Sequence, residues 1–209
     1  MEKARMIRVG LTGGYASGKS FVAAELEKLG CYLIYADQLG HAALEPHGEA
    51  YRPAVEEFGP RILAADGRID RKKLAAIVFS STESLQKLSG FVHPAVIRLE
   101  EQLTEDAAAA DPKAIVVIEA AILIETGRYK ALDRVVLTAC SEEKQIARAM
   151  KRDLVTREEA SVRIRKQMPL AEKKQHAHFI IDTDGEKETT IQQVREVHRK
   201  LKELVEAQT

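Results

Sequence analysis

IRVGLTGGYASGKSFVAAELEKLGCYLIYA, residues 7–36, decides the fold. Ile7 to Thr12 is a β-branched apolar run ending in Gly13-Gly14, the mark of a buried strand entering a turn. From Lys19 to Leu29 the apolar positions 22, 26 and 29 recur at helical spacing, and Gly30 closes that helix as a C-terminal glycine. Tyr32 to Ala36 reads as a second short strand. Strand, turn, helix and strand within about 30 residues form the unit of a parallel sheet.

The turn in that unit carries chemistry. Gly13-Gly14-Tyr15-Ala16-Ser17-Gly18-Lys19-Ser20 fits G-x-x-x-x-G-K-[ST]. Gly13 and Gly18 permit backbone turns that a Cβ would block. Successive backbone N–H groups, Phe21 included, then point inward as an anion cradle at the positive end of a helix. Lys19 supplies a point charge for the β- and γ-phosphates of ATP, and the Ser20 hydroxyl is a hard oxygen ligand for Mg²⁺. A chance match on a glycine-rich turn is the alternative; the apolar strand before it and the helix opening at Lys19 are the context the motif demands.

Bulk properties set limits. The 209 residues suit one compact domain with a modest insert. Aromatics are 5% with no Trp, so the core is built from Val, Ile, Leu and Ala. Lys plus Arg and Asp plus Glu both number 32, giving zero net charge. Nucleic acid and anionic membrane are therefore poor partners, and any positive field must be local. No apolar run approaches the roughly 20 residues needed to cross a bilayer. Cys31 and Cys140 have neither metal-ligand spacing nor a disulfide framework, and read as reduced, buried thiols in a cytoplasmic protein.

Between Asp37 and Ala110 nothing looks like a buried strand. Helical stretches run from Glu49 to Phe58, Arg71 to Phe79, Glu83 to Phe91 and Pro94 to Ala109. Ser80 with Glu83 has capping-box spacing, and Pro94, with His93 before it, fits the first turn of the fourth stretch. The sheet resumes at Ala114 to Glu119 and Arg134 to Ala139, and ends at His178 to Asp182. Ser141 opens a helix with Glu142 and Glu143 in its first turn; Thr156 with Glu159 opens another, to Gln167, which Pro169 ends. Glu186 to Ala207 is a long amphipathic C-terminal helix.

The residues favour a small kinase among nucleotide proteins, with a kinase of another nucleoside or nucleotide and a nucleotide-dependent switch module as the alternatives. The chain has no Asn and no Thr-Lys pair, so the guanine-reading element of a GTPase is missing. A mechanical ATPase usually shows an apolar strand ending in Asp or Asp-Glu; the strand here ends in the single Glu119. A small kinase needs an acceptor-side carboxylate, room for a second substrate and a cationic lid, and each has candidates. Asp37 lies past the second strand, where open α/β sheets collect ligands, and reads either as a proton acceptor or as a helix N-cap. Glu119 reads as a Mg²⁺ ligand through water or as a solvated strand-end carboxylate. Residues 148–174 hold nine basic and four acidic residues, a local surplus of five. Arg148 and Arg152, four apart, share a helix face that either closes over the phosphates or is ion-paired and solvated. His93 is a helix-entry residue or a substrate ligand.

With these pieces in place the chain resembles the dephospho-CoA kinase family nearly end to end. The matching stretches are GLTGGYASGKS at 10–20, YADQL at 35–39, EEFGPRIL at 56–63, DGRIDRKKLAAIVFS at 66–80, VHP at 92–94, AILIETG at 121–127, QIARAMKRD at 145–153, LVTREEA at 154–160 and IIDTDG at 180–185. The resemblance implies an α/β P-loop NTPase fold of nucleoside-monophosphate-kinase type: a parallel sheet flanked by helices, with a helical substrate insert and a helical lid. The expected parts are a core of 1–37, 111–147 and 176–209, an insert of 38–110 and a lid of 148–175. It implies transfer of the ATP γ-phosphate to the ribose 3′-hydroxyl of dephospho-CoA, the last step of CoA synthesis, by a monomer or weak homo-oligomer. The family's catalytic Asp falls on Asp37, its lid arginines on Arg148 and Arg152, and its substrate-binding His-Pro on His93 and Pro94. Five positions depart from the family pattern. Tyr35 replaces the first Asp of Asp-Ala-Asp, Glu119 stands where Asp is usual and the following Pro is lost, Ala16 replaces a frequent Gly, and Thr183 replaces Asn.

Overall fold

The computed structural model describes residues 6–207. Five strands form one parallel sheet: β1 Ile7–Gly13, β2 Tyr32–Tyr35, β3 Ile115–Glu119, β4 Arg134–Ala139 and β5 Phe179–Asp182, in the order β2-β3-β1-β4-β5. The three central strands are almost wholly buried on both faces, which is why they read as unbroken apolar runs. β5, at an edge, alternates and is half exposed. β1 lies parallel between β3 and β4, with Leu11 opposite Glu119 and Gly13 opposite Thr138. The carboxyl end of β1 is therefore flanked by its two neighbours where the strand order reverses, the place an open sheet offers a ligand.

The helices are α1 Lys19–Lys28, α2 Ala36–Ala43, α3 Tyr51–Phe58, α4 Arg71–Val78, α5 Thr82–Ala110, α6 Glu142–Asp153, α7 Arg157–Arg165, α8 Leu170–Lys174 and α9 Lys187–Glu206. α1 buries Val22, Ala23 and Leu26; α9 buries Thr190, Val194, Val197, Leu201 and Val205, a stripe at helical spacing, and the two helices pack together. Among the described residues no helix is long and apolar enough to cross a membrane.

The chain divides into two compact units. One runs to Ile34 and resumes at Asp106, and holds nearly all of the sheet; the other is Tyr35–Glu105. The second is helical, with a core of Ala54, Phe58, Ile62, Leu74 and Val78. Its α4 is capped by Asp70, which accepts from the N–H groups of Lys72 and Lys73 at 2.9 and 3.1 Å.

Three local expectations change. Pro94 does not open a new helix; it lies inside the continuous α5. Proline removes the N–H that would bond the carbonyl of Gly90, yet Gly90 is exposed, so water can satisfy that carbonyl. Ala95 and Val96, just beyond, are buried and hold the helix in place. The cap of α5 is not a Ser80–Glu83 box: Ser81 Oγ accepts from the Ser84 N–H at 3.2 Å, while Ser80 Oγ donates to the Ile77 carbonyl at 2.8 Å. Pro169 does end a helical region, but it also serves as the N-cap of the short α8.

Candidate active site

The loop from Gly13 to Ser20 joins β1 to α1. Gly18 is the N-cap of α1 with φ 90°, a left-handed conformation that favours glycine. Gly13 has no room for a side chain: a Cβ there would lie 2.5 Å from Ser17 Oγ and 2.7 Å from the Thr138 carbonyl oxygen. The Ser17 and Thr138 hydroxyls are hydrogen-bonded at 2.7 Å beneath the loop. Lys19 Nζ donates to the carbonyls of Gly13 and Gly14, both at 3.2 Å, so the ammonium is already folded along the loop. Ser20, in the first turn of α1, is exposed.

Beside the loop opens a cleft of about 570 Å³. Loop residues 16–21 line it together with Arg148, Lys151 and Arg152 of α6, Thr183 and Gly185 after β5, and Lys187 and Thr190 of α9. The structure thus brings Lys19, Ser20, Arg148 and Arg152 to one cleft. Arg148 is anchored by donating from Nη1 to Thr183 Oγ1 at 3.2 Å and from Nη2 to the Thr183 carbonyl. Thr183 Oγ1 in turn donates to the Ser17 carbonyl at 2.7 Å, so the turn after β5, the phosphate loop and α6 are tied through one buried hydroxyl. Arg152 donates from Nε and Nη2 to both carboxylate oxygens of Asp153 at 2.7 and 2.8 Å. That guanidinium, followed by the Tyr15 hydroxyl, holds the Asp153 carboxyl well below the usual carboxylate range.

The segment from α6 to α8 is built by local rules. Thr156 Oγ1 accepts from the Glu159 N–H while Glu159 reaches back to the Thr156 N–H, a full capping box at the head of α7. Ile146, Ala149 and Ala160 make a small apolar cluster with Ala16 of the phosphate loop. In α8, Lys173 is 1% exposed and pairs with Glu125 at 2.8 Å.

Glu119 ends β3 and is only 8% exposed, so it is no solvated strand-end carboxylate. Among the described residues no cluster of three or more His, Cys, Asp or Glu could hold a metal alone. The donors that fit are the exposed Ser20 hydroxyl and the Glu119 carboxylate, a sparse set of hard oxygens of the kind Mg²⁺ uses when substrate phosphates complete its shell.

Asp37 and His93 belong to the helical unit. Asp37 is exposed in the first turn of α2, whose N-cap is Tyr35, so its carboxylate is not spent on capping. His93 is exposed within α5. The two helices meet where Gly40 faces Val92 and Val96. Both cysteines are free and buried, and burial pushes the Cys31 thiol up to about 12, which leaves it inert. Sequence reasoning did not find Thr138 or the Glu125–Lys173 pair, and noted Thr183 only as a departure; each acts through a partner distant in sequence.

A family model described as dephospho-CoA kinase matches residues 7–189. The dephospho-CoA kinase of Geobacillus kaustophilus is 41% identical over 90% of this chain and 93% of its own. Among solved structures, a protein from Thermus thermophilus is 33% identical with a TM-score of 0.80, covering 92% of this chain and 96% of its own. The dephospho-CoA kinase from Campylobacter jejuni is 27% identical with a TM-score of 0.67, covering 94% and 97%.

Proposed function

The chain belongs to the dephospho-CoA kinase family and phosphorylates dephospho-CoA with ATP in CoA biosynthesis, and from that premise we propose how its residues divide the work. The amides from Gly13 to Phe21 hold the β- and γ-phosphates, and Lys19 exchanges its two loop carbonyls for phosphate oxygens. Arg148 and Arg152 stabilise the charge that spreads over the transferring group. Ser20, and Glu119 through water, would hold Mg²⁺, which supplies charge neutralisation on the phosphates. Asp37 accepts the proton of the acceptor's ribose 3′-hydroxyl. The 3′-oxygen bonds to the γ-phosphorus as the bond from that phosphorus to the β,γ-bridging oxygen breaks, and ADP leaves. The helical insert, 38–110, with His93, binds the acceptor; 148–175 acts as the lid over a core of 1–37, 111–147 and 176–209. The enzyme works in the cytoplasm as a monomer or weak homo-oligomer.

The observation that carries this reading is the pairing of a left-handed Gly18 opening α1 with a cleft into which Lys19, Arg148 and Arg152 all project. A coupled ADP-release assay tests it. Release is strong with dephospho-CoA, weak with adenosine or AMP, and small without acceptor; a rate independent of acceptor would sink the proposal. Asp37→Asn lowers kcat by roughly 10²-fold or more while ATP affinity stays as it was. An unchanged kcat would remove Asp37 from catalysis.

A further inference from the structure

Tyr15 is the third residue of the phosphate loop, and its side chain points away from the nucleotide cleft into the lid. Two guanidinium groups, those of Arg152 and Arg163, lie over its ring, each 5.5 Å from the ring centre. Its hydroxyl donates to Asp153 and accepts from Arg163 Nη1, the latter at 2.9 Å. Its backbone N–H donates to Gln167 Oε1 at 2.6 Å. The end of α6, the body of α7 and the turn after α7 therefore converge on one loop residue.

The contact bears on the reaction through Asp153. That carboxylate grips Arg152 by two nitrogens, which fixes the plane of the guanidinium and leaves its other N–H groups for the cleft that Arg152 lines. Arg152 is otherwise an exposed side chain with many rotamers, and an arginine that must be ordered anew at each turnover stabilises a transition state less than one already in place. The Tyr15 hydroxyl donates to Asp153 Oδ2, the same oxygen that Arg152 Nη2 holds, and Arg163 Nη1 donates to that hydroxyl in turn. Ala16 reinforces the arrangement: it adopts φ 56°, strained for a residue with a Cβ, and its methyl packs on Ile146, Ala149 and Ala160.

We propose that Tyr15 is a positioning residue for phosphoryl transfer: acting through Asp153, it sets the Arg152 guanidinium over the phosphates, so the loop that grips ATP also aligns the lid. The inference rests on the reading of Arg152 as a lid arginine of the transfer site. It assigns the Tyr15 side chain a role separate from the anion cradle formed by the loop's amides.

The test compares Tyr15→Phe, Asp153→Asn, their double variant and Arg152→Ala, assayed with ATP and dephospho-CoA and followed by thermal melting. Tyr15→Phe keeps the ring that both guanidinium groups lie over and loses only the hydroxyl. Its kcat falls about tenfold, the rate equivalent of one charge-assisted hydrogen bond, while both KM values move less than about twofold and Tm holds. The double variant is no slower than Asp153→Asn alone, because the hydroxyl acts through that carboxylate. A Tyr15→Phe enzyme with wild-type kcat beside a crippled Arg152→Ala enzyme would overturn the inference and leave the Arg152 reading standing. So would a kcat loss matched by a fallen Tm, which would reduce Tyr15 to packing. Full activity in Arg152→Ala would remove both.

Discussion

Replacing Glu125 by alanine strips the counter-charge from a buried ammonium. The Lys173 side chain is 1% exposed; its Nζ lies 2.8 Å from Glu125 Oε1 and 3.4 Å from the Ala121 carbonyl oxygen. Glu125 also accepts from the Met168 N–H at 3.2 Å, a bond that faces solvent, so what its loss leaves uncompensated is the buried charge of Lys173. Removing one partner of a buried pair costs about 3–5 kcal/mol, because the remaining charge stays desolvated. At roughly 2–4 °C per kcal/mol for a chain of this size, the Tm of Glu125→Ala drops by about 6–20 °C. Lys173→Met behaves differently. It removes the costly charge and fills the site with an unbranched apolar chain, while Glu125, 22% exposed, still has access to water. Its cost is about 1 kcal/mol or less. The asymmetry implies rescue: Glu125→Ala with Lys173→Met is more stable than Glu125→Ala alone. Urea unfolding followed by circular dichroism, with m-values compared among the variants, measures this. If Lys173→Met proves as damaging as Glu125→Ala, or if the double variant gains nothing, desolvation of Lys173 is not what makes the pair matter.

Gly13→Ala forces a methyl against Ser17 Oγ and the Thr138 carbonyl; displacement of the loop by about 1 Å lowers ATP-dependent turnover by roughly 10²-fold, and a variant with normal turnover would contradict the close-approach argument. Leu154 is 90% exposed with φ 54°, so it strains the backbone and packs on nothing in return. Leu154→Asn should raise Tm by about 2–4 °C for each kcal/mol of strain relieved, and a lower Tm would show that Leu154 is held by something else. His178 Nδ1 accepts from the Val135 N–H at 3.1 Å, and burial, then Arg134, push its pKa below the ordinary 6.5. The unfolded chain therefore binds more protons below about pH 6.5, so stability is full above that pH and is lost as pH falls towards the folded value. His178→Asn, which keeps an acceptor but cannot titrate, flattens the fall in Tm between about pH 7.5 and 5.5; His198, shifted downward by burial and Lys202, accounts for a remainder, and an unchanged slope would acquit His178.

What the sequence made legible was local. Strand, phosphate loop and helix lie within one stretch, and the Thr156–Glu159 box spans four residues, so spacing alone located both. The break expected at Pro94 was wrong because whether a proline ends a helix depends on who solvates the carbonyl four residues back, and exposure of Gly90 is a tertiary fact. In two cases tertiary placement removes only the competing structural reading, and the site role stays a proposal. Asp37 competed with a capping role that Tyr35 turns out to occupy, and Glu119 competed with a solvated role that its burial removes. The links among Tyr15, Asp153 and Arg163 span well over a hundred residues, and no window of sequence contains them.

The charge run from Arg148 to Lys174 shows why a surplus of five could not be read as a site by counting. Part of it is already ion-paired: Arg157 meets Glu143 at the surface, and the buried Lys173 meets Glu125. Arg148 makes a different set of bonds, to a hydroxyl, a carbonyl and the Cys140 sulfur at 3.7 Å, which orient it without neutralising it. The described residues that line the cleft include five cations, Lys19, Arg148, Lys151, Arg152 and Lys187, and no carboxylate. In a chain of zero net charge such a field does not reach far, since salt screens exposed charges within about 8 Å at physiological strength. It does its work inside the cleft, where a triphosphate displaces water and each cation counts for more. A neutral protein can therefore hold a highly charged nucleotide without attracting polyanions at large, because what matters is where its cations gather: they line this cleft, while Asp153, which pairs with Arg152, is not among the lining residues.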